Sequence, residues 1–406
     1  MAITHPLTRL LARRRLHVLG INSGTSIDGL DLALVEIRDD TPSPSVHCIR
    51  AEHFAYPRRL REALANLAAS ETISKESAAR THFALGEFIA ETVMRHGLSR
   101  EAARARPPLS GGTRVDLIGS HGQTIGHFPA RRRGAAGSAT WQIGALNAIA
   151  QRTGVVTIGD FRAADVAAGG MGAPLSGYYH HILFGLGIPV LNLGGIANIS
   201  VSRCRRGRVE ILAFDVGPGN MLLDALARIL LDRPYDSDGC VARSGQPHAD
   251  IIATALKEPY FSRRPPKTCG REEFGLPVVK RLFFKRGVPL ASAADLLASA
   301  VEITARAVAH AITRWVAPFT ESRTLVVTGG GTRNLTLLEH LESRLPQWRL
   351  CGAEDWGIPS RFVEPVGFAV LAHETLRACA GNVGGGTGAR EPVVLGLIAL
   401  PLPERS

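Results

Sequence analysis

An apolar strand, a turn of glycine and small polar residues, and a second strand follow one another twice in this chain, once in each half. Residues 16–37 read LHVLGI, NSGTSIDG and LDLALVEI, and residues 188–202 read IPVLNLGGIANISVS. Further apolar strands alternate with helical stretches around both copies of the pattern, which is typical of α/β proteins. The recurrence predicts a duplicated fold of two lobes.

The spacing of apolar residues predicts the remaining elements. Residues 60–98 have a helical period, and VDLIGSHGQTIGHFP at 115–129 is typical of a short strand that runs into a polar loop. Further helices are predicted at 248–257, 291–315 and 363–378, and a closing strand at 393–400.

Composition argues against nucleic acid as a partner. The 406 residues include 47 Lys+Arg and 36 Asp+Glu, a formal net charge of +11. Only five of the cations are lysines, the arginines are scattered, and aromatic residues make up 6% of the chain. Nucleic-acid binders usually show a basic stripe with interleaved aromatics. At roughly 150 residues per domain, the length predicts two or three domains.

Neither a membrane span nor a cysteine-based metal site is predicted. Residues 166–202 contain no Asp, Glu, Lys or Arg, but Gly, Pro, Asn and His interrupt the stretch every few residues. A transmembrane helix needs a longer uninterrupted apolar run. The six cysteines include no CxxC pair, and residues 1–15 are basic without the apolar segment of a signal peptide. These features predict free thiols in a cytoplasmic protein.

Two glycine-bearing loops are candidates for binding a nucleotide. In residues 23–29, backbone N–H groups and hydroxyls can surround phosphate oxygens, with Asp28 near a metal ion. An ordinary hairpin turn would contain the same residue types. In VVTGGGTRN at 326–334, consecutive glycines let a flat group or a phosphate approach the backbone. The second loop fits neither the P-loop nor the GxGxxG pattern.

A third loop, FDVGPGN at 214–220, is a candidate for catalysis. Asp215 ends an apolar strand, and the glycines then turn the chain into a helix that is predicted to start near Met221. Free N–H groups at a helix N-terminus suit an anion. A carboxylate beside an anion site is well placed to take a proton from a nucleophile. A cap of the helix or turn is the alternative role for Asp215.

In chain order these loops resemble the phosphate and adenosine loops of the actin-like ATPase superfamily. That resemblance implies a ribonuclease H-like fold, duplicated in two lobes with a cleft between them. The first lobe is expected at 1–160, completed by 385–406, and the second lobe, with the base and adenosine loops, at 161–384.

Eight motifs between residues 16 and 401 resemble a single family, the anhydro-N-acetylmuramic acid kinases. In order they are SGTSIDGLD, IGSHGQTI, DFRAADVAAGGMGAPL, LNLGGIANIS, FDVGPGNMLLDA, DSDGCVARSGQ, PPKTCGREEF and GGGTRN. The resemblance implies an enzyme that opens a 1,6-anhydro sugar with water and phosphorylates O6 with ATP, in cell-wall recycling. It also implies Mg²⁺ as a cofactor and a homodimer.

The resemblance assigns a role to each candidate residue. Asp215 would be the general base that deprotonates the attacking water, and Asp28 would orient Mg²⁺ through water. The remaining expected contacts are Gly24, Thr25 and Ser26 at the γ-phosphate, Gly217 and Gly219 at the β-phosphate, Gly329, Gly330 and Gly331 at the adenosine, and His121, Gln123, Arg162, Asp165 and Glu364 at the sugar. Structural roles remain open as alternatives: a satisfied loop histidine for His121, an ion pair for Arg162 with Asp165, and solvated cations for Lys267 and Arg271.

The chain departs from the family pattern mainly in the loops expected at the sugar. Alanines stand where arginines are usual after DFR. Loss of cations there would weaken recognition of a lactyl carboxylate. The alternatives are therefore a kinase for a neutral anhydro sugar such as levoglucosan, or a non-catalytic sensor of sugar or nucleotide. The departures are Asn22, Gly126, Ala163, Ala164, Met171 and Cys269.

Overall fold

The computed structural model describes residues 5–24, 26–41, 43–96, 114–130, 137–383 and 386–402. The chain divides into two compact units: unit 1 is Met1–Leu183 with Phe362–Ser406, and unit 2 is Phe184–Arg361. This division differs from the predicted boundaries, because 161–183 and 362–384 belong to unit 1. The predicted phosphate contact Thr25 lies outside the described residues.

Unit 1 is built on a six-stranded sheet with the order β15-β7-β4-β1-β2-β3. Strands β1, β2 and β3 pair antiparallel, whereas β4 pairs parallel with both β1 and β7. A short separate ribbon pairs β5 with β6. The strands are β1 (Arg15–Ser23), β2 (Gly29–Arg38), β3 (Ser45–Ala55), β4 (Leu117–Ser120), β5 (Gln123–Phe128), β6 (Ala139–Ile143), β7 (Val156–Gly159) and β15 (Leu397–Ala399).

Unit 2 is built on a five-stranded sheet with the order β10-β9-β8-β13-β14. Here β8, β9 and β10 pair antiparallel, and β13 pairs parallel with both β8 and β14. The strands are β8 (Val190–Leu193), β9 (Ile196–Arg205), β10 (Arg208–Pro218), β13 (Thr324–Thr328) and β14 (Arg349–Gly352), with a small hairpin of β11 (Phe284–Lys285) and β12 (Val288–Pro289).

The two sheets share one topology. In each, the first three strands form an antiparallel meander, and the fourth and fifth strands add in parallel on the other side of the first. This 3-2-1-4-5 order is the ribonuclease H-like arrangement, and each unit contains it once. The predicted α/β duplication is therefore confirmed.

The predicted helices are found, and the structure differs from the predicted helices and strands at three places. The segment 60–98 contains two helices, because Ser74 caps a new helix by accepting a hydrogen bond from the Ser77 N–H. The polar loop predicted after β4 forms the ribbon β5–β6, and the closing strand starts only after Gly396, whose φ is +95°. The α-helices among the described residues are Pro6–Leu11, Arg58–Ala69, Lys75–Arg95, Leu146–Thr153, Ala163–Ala167, Ser176–Phe184, Met221–Leu231, Cys240–Arg243, Ala249–Leu256, Pro259–Ser262, Arg271–Phe274, Leu276–Phe283, Ala293–Ala311, Leu335–Arg344 and Val363–Leu376.

The longest apolar helix belongs to the core of unit 2. Ala293–Val316, which ends in a π-helical turn, has the length and composition of a membrane span, but 78% of its most apolar window is buried inside the protein. Leu296, Val301 and Val308 of this helix pack with β9 and β10 in one apolar cluster. Its hydrophobicity is therefore explained by core packing.

Two glycines allow the helix Val363–Leu376 to lie directly on the sheet of unit 1. A Cβ at Gly20 would stand 1.8 Å from the carbonyl oxygen of Pro365, and a Cβ at Gly119 would stand 2.4 Å from that of Phe368. The backbones of β1 and β4 therefore touch the helix backbone. This contact explains why the segment after residue 362 belongs to unit 1.

We expect Gly20→Ala to lower the free energy of unfolding by about 1–3 kcal/mol or more, because the obstacle is backbone that cannot rotate away. Urea unfolding of the purified protein measures this loss. Gly137→Ala is the control, since a Cβ at Gly137 would meet no atom within 4 Å. Equal unfolding midpoints for the two variants would contradict the close packing.

Candidate active site

Asp215 lies at a bulge near the end of β10, where the pairing with β9 shifts between Asp215 and Gly217. The helix Pro259–Ser262 and the segment that follows it hold Asp215 through three hydrogen bonds. The Cys269 N–H donates to Asp215 Oδ2 at 3.0 Å, the Tyr260 hydroxyl donates to the Asp215 carbonyl at 2.7 Å, and the Asp215 N–H donates to the Lys267 carbonyl at 3.0 Å. The residue does not cap a helix, since the N-cap of Met221–Leu231 is Asn220.

The surroundings of the Asp215 carboxylate shift its pKa. Burial raises the pKa of Asp215 to about 6, although the Cys269 N–H and the charge of Lys267 lower the pKa, and Glu273 raises it further. Among the described residues, Oδ1 accepts no hydrogen bond. One oxygen is thus held in place and the other is free to accept a proton.

Lys267 is a buried cation beside Asp215, and the alternative of a solvated side chain is wrong. Only 8% of the residue is exposed. Its Nζ donates to the Tyr260 carbonyl at 3.2 Å and lies 4.5 Å from the centre of the Tyr260 ring. Lys267 therefore fixes the turn that carries the Cys269 N–H and lowers the pKa of Asp215. The side chain of Arg271 lies outside the described residues.

We expect Lys267→Met to move the acid limb of the pH–kcat/KM profile to higher pH. Loss of the cation removes an influence that lowers the pKa of Asp215, so more of the carboxylate is protonated at a given pH below neutrality. Methionine keeps the buried volume. Lys280→Met, at an exposed lysine of the same unit, is the control. An unchanged acid limb in Lys267→Met would contradict the electrostatic role.

The turn between β8 and β9 closes against the Asp215 loop. The N–H groups of Gly219 and Met221 donate to the Gly195 carbonyl, and that of Asn220 donates to the Gly194 carbonyl, at 2.8–3.0 Å. A Cβ at Gly219 would stand 2.3 Å from the Gly194 carbonyl oxygen. The adjoining turn therefore uses these three N–H groups, and they are not free for an anion.

Two other glycines of unit 2 are needed for packing. Gly217 has φ +155°, and its Cβ would stand 2.7 Å from the Phe261 ring. Gly329 has φ +86°, and its Cβ would stand 2.2 Å from Asn192 Oδ1. The phosphate and adenosine roles of these residues stay predictions.

The backbone is more open at Gly195 and Gly330, which follow Gly194 and Gly329 in the chain. A Cβ at Gly195 or Gly330 would meet no atom within 4 Å, whereas one at Gly331 would stand 2.6 Å from Leu193 Cβ. Gly195 lies at the same place in the unit 2 sheet as the loop 24–28 in unit 1, between the first and second strands. The turn of Gly194 and Gly195 is not among the candidates predicted from the sequence, although its motif and its equivalence to the first loop are present there.

In unit 1, the loop between β1 and β2 carries an exposed carboxylate. Ser26 Oγ donates to Asp28 Oδ1 at 2.8 Å, and the Tyr56 N–H donates to the Asp28 carbonyl at 3.1 Å. A Cβ at Gly24 would meet only Ser26 Oγ, at 3.8 Å. The backbone at Gly24 is therefore open, and the exposed Asp28 carboxylate lies in the same loop, which suits a hydrated cation and phosphate oxygens.

Arg162 and Glu364 are the sugar-site candidates that retain free hydrogen-bonding atoms. Asn22 Nδ2 donates to Glu364 Oε2 at 2.6 Å, and Arg162 donates through Nε to His121 Nε2 at 3.0 Å and through Nη1 to the Gly172 carbonyl at 2.8 Å. Glu364 Oε1 and Arg162 Nη2 have no partner among the described residues. Burial raises the pKa of Glu364, against the Asn22 hydrogen bond and the Arg162 charge.

His121 and Gln123 act on other protein groups. His121 Nδ1 donates to the Gly122 carbonyl at 3.0 Å, since Nε2 accepts from Arg162. Burial and the Arg162 charge hold the pKa of His121 well below its usual value, so the ring is neutral. Gln123 is 1% exposed, and its Oε1 accepts from Ser23 Oγ. The satisfied-histidine alternative is the one observed, and His121 positions Arg162.

Asp165 is also a positioning residue. It has no exposed surface, Oδ1 accepts from Asn382 Nδ2 and Thr387 Oγ1 at 2.6 Å each, and Oδ2 accepts from the Gly172 N–H at 2.8 Å. All its partners are thus internal, which differs from the expected sugar contact. The alternative of an ion pair with Arg162 is not observed either, because the Arg162 donors with partners among the described residues go to His121 and Gly172. Asp165 fixes the loop whose Gly172 carbonyl holds Arg162.

The donor chemistry of Asp28 fits a Mg²⁺ ion that is bound together with waters and phosphates. Among the described residues, no group of three or more His, Cys, Asp or Glu side chains could hold a metal ion. Mg²⁺ commonly binds one carboxylate together with waters and substrate phosphates. The exposed Asp28 carboxylate is of that kind.

Two sheets of one ribonuclease H-like topology, each with a glycine-bearing turn between its first two strands, define the actin-like ATPase class of folds. The family model described as "Anhydro-N-acetylmuramic acid kinase" matches residues 16–401. The chain belongs to this family.

Curated relatives match over nearly their whole length. The anhydro-N-acetylmuramic acid kinase of Salinibacter ruber is 38% identical over 98% of this chain and 99% of its own, and that of Caldanaerobacter subterraneus subsp. tengcongensis is 36% identical over 97% and 99%. Among solved structures, the xylulose kinase from Rhodospirillum rubrum has a TM-score of 0.41 and 13% identity over 96% of this chain and 95% of its own.

Proposed function

We propose that this protein is an ATP-dependent anhydro-N-acetylmuramic acid kinase that opens the 1,6-anhydro bridge hydrolytically and phosphorylates O6. The observation that carries the proposal is Asp215, whose pKa is about 6 and whose Oδ1 is free while Oδ2 is held. Membership of the family supports the substrate. A neutral anhydro sugar or a sensor role has no comparable support, because the curated relatives carry the name anhydro-N-acetylmuramic acid kinase and the surroundings of Asp215 suit a general base.

The reaction needs one base and one phosphoryl donor. Asp215 takes a proton from a water molecule, whose oxygen then forms a bond to the anomeric carbon while the C1–O6 bond breaks. The electron pair of that bond stays on O6, which forms a bond to the γ-phosphorus of ATP while the bond from that phosphorus to the departing ADP breaks. Arg162 Nη2 and Glu364 Oε1 bind the sugar, and His121, Asp165 and Asn22 hold these two side chains in place.

Binding of the nucleotide is assigned to the open glycine positions. The loop of Gly24, Thr25, Ser26 and Asp28 in unit 1 and Gly195 in unit 2 would hold phosphates, and Gly330 would lie near the adenosine. Mg²⁺, held through water by Asp28, would neutralise phosphate charge when bound. The family resemblance also predicts a cytoplasmic location and a homodimer, and light scattering on the purified protein tests the homodimer.

The experiment is an assay of purified protein with ATP, Mg²⁺ and 1,6-anhydro-N-acetylmuramic acid. We expect ADP and the 6-phosphate of the opened sugar in equal amounts. Levoglucosan in place of the amino sugar is the matched comparison, and kcat/KM is expected to be much lower for it. ATP binding without turnover of either sugar, or a preference for levoglucosan, would overturn the proposal.

A further inference from the structure

A cavity of about 500 Å³ in unit 2 contains a charged cluster that the proposed reaction does not use. Its walls come from the helices Ala249–Leu256, Ala293–Ala311 and Leu335–Arg344. At its base lies Glu302, whose side chain is 3% exposed. The volume is within the range of about 300–1,000 Å³ that is common for small-molecule sites.

Glu302 fixes two arginines without using up their hydrogen-bond donors. Its Oε1 accepts from Arg306 Nε at 2.5 Å and from Arg344 Nη2, and its Oε2 pairs with His340 Nδ1 at 2.8 Å. Both arginine side chains remain 44% exposed. Among the described residues, neither Nη group of Arg306 has a partner, nor do Nε and Nη1 of Arg344.

The charges around the cavity favour an anion. Glu302 neutralises one of the two guanidinium groups, and the other carboxylate of the lining, Glu339, is paired with Arg243. Arg306, Arg344 and Glu302 together therefore carry one net positive charge. Two guanidinium groups oriented by one carboxylate suit a phosphate group, whose oxygens accept paired N–H donors.

The cavity is separate from the proposed active site. Thr304 donates to the Pro218 and Gly219 carbonyls of the Asp215 loop. Residues that are two positions apart on a helix, such as Thr304 and Glu302, lie on opposite faces. Glu302 and Arg306, four positions apart, share the face away from that loop. Arg344 ends the helix Leu335–Arg344, roughly 13 Å from the end that follows the triple-glycine loop.

We propose that this cavity binds the phosphate group of a sugar phosphate. Arg306 and Arg344 bind the phosphate oxygens. The apolar side of the lining, with Ala249 and Ile252, packs against the carbon skeleton. The volume exceeds what a free phosphate fills, so the sugar contributes to binding.

The test is isothermal titration calorimetry of the purified full-length protein with N-acetylglucosamine 6-phosphate and, separately, with inorganic phosphate. We expect the sugar phosphate to bind more tightly than inorganic phosphate. Arg344→Gln is expected to weaken binding at least about tenfold, since it removes a charged donor. Ala249→Phe, which fills the cavity and leaves the charges unchanged, is expected to do the same, and both variants are expected to keep turnover.

Arg349→Gln is the control, because Arg349 forms an exposed ion pair with Asp355 elsewhere on unit 2. Binding that survives both Arg344→Gln and Ala249→Phe would overturn the proposal. Binding that is lost only in Arg162→Gln would overturn it too, and would assign the ligand to the sugar-binding residues of unit 1. Equal affinity for the two probes would contradict a site for a sugar phosphate.

Discussion

Replacing Asp215 by asparagine is expected to lower kcat by a factor on the order of 10²–10⁴, the usual contribution of a general base. Asparagine keeps the shape of the side chain and still accepts the Cys269 N–H hydrogen bond, but it cannot take a proton from water. Steady-state turnover of the anhydro sugar measures the loss. Binding of ATP is expected to be unchanged, because the carboxylate acts on the water.

The same substitution is expected to raise the melting temperature at neutral pH. The pKa of Asp215 is about 6 in the folded state, above the usual aspartate value. Ionisation of Asp215 therefore carries a free-energy cost that lowers the stability of the folded state. This cost is fully present above about pH 6 and disappears as the pH falls below the usual aspartate pKa. Asparagine removes this cost. A loss of both activity and stability would contradict the assigned role, because it would indicate a structural defect.

Asp224→Asn is a matched control for this experiment. Burial also raises the pKa of Asp224 to about 6, against the lowering charge of Arg228, on the helix that follows the Asp215 loop. We expect this variant to gain stability in the same way and to keep its turnover. A similar loss of kcat in both variants would show that any buried carboxylate in this region supports activity.

The second large effect is expected for Arg162→Gln, which should lower kcat/KM for the anhydro sugar roughly 10- to 100-fold. A charged hydrogen bond is worth about 1.5–3 kcal/mol, and Arg162 Nη2 is free to make one to the substrate. The glutamine also leaves the Gly172 carbonyl and His121 without their donor. The KM for ATP is expected to stay the same, and kinetics with each substrate varied in turn separate the two effects.

Arg152→Gln is the control for Arg162, since Arg152 forms an exposed ion pair with Glu87 on the same unit. We expect wild-type kinetics for it. A rise in the KM for ATP rather than for the sugar in Arg162→Gln would place Arg162 at the nucleotide and contradict the proposed site.

The sequence was sufficient to predict the duplicated fold and the position of Asp215. The strand–turn–strand pattern is local, so its recurrence is visible without tertiary information, and the bulge at Asp215 has its own local signature in the glycines that follow. The loop at Gly329–Gly331 is found where it was predicted for the same reason. Both features depend on residues close together in the chain.

The partners of buried polar side chains could not be predicted. Asp165 is bonded to Asn382 and Thr387, more than 200 residues away, and nothing near Asp165 in the chain indicates them. Asn22 looked like a departure from the family pattern, yet it holds Glu364. The predicted unit boundary near residue 384 differs from the observed one for a similar reason, because the segment after residue 362 joins unit 1 through the contact of Gly20 with Pro365.

The central claim is that water activated by Asp215 opens the anhydro bridge in the same turnover that phosphorylates O6. The most direct measurement is a reaction in H₂¹⁸O with ATP, Mg²⁺ and 1,6-anhydro-N-acetylmuramic acid, followed by mass spectrometry of the rapidly quenched product. We predict one ¹⁸O atom at C1 and none at O6 or in the phosphate of every product molecule. A phosphorylated product that still contains the anhydro bridge, or one that carries ¹⁸O in its phosphate, would contradict the claim.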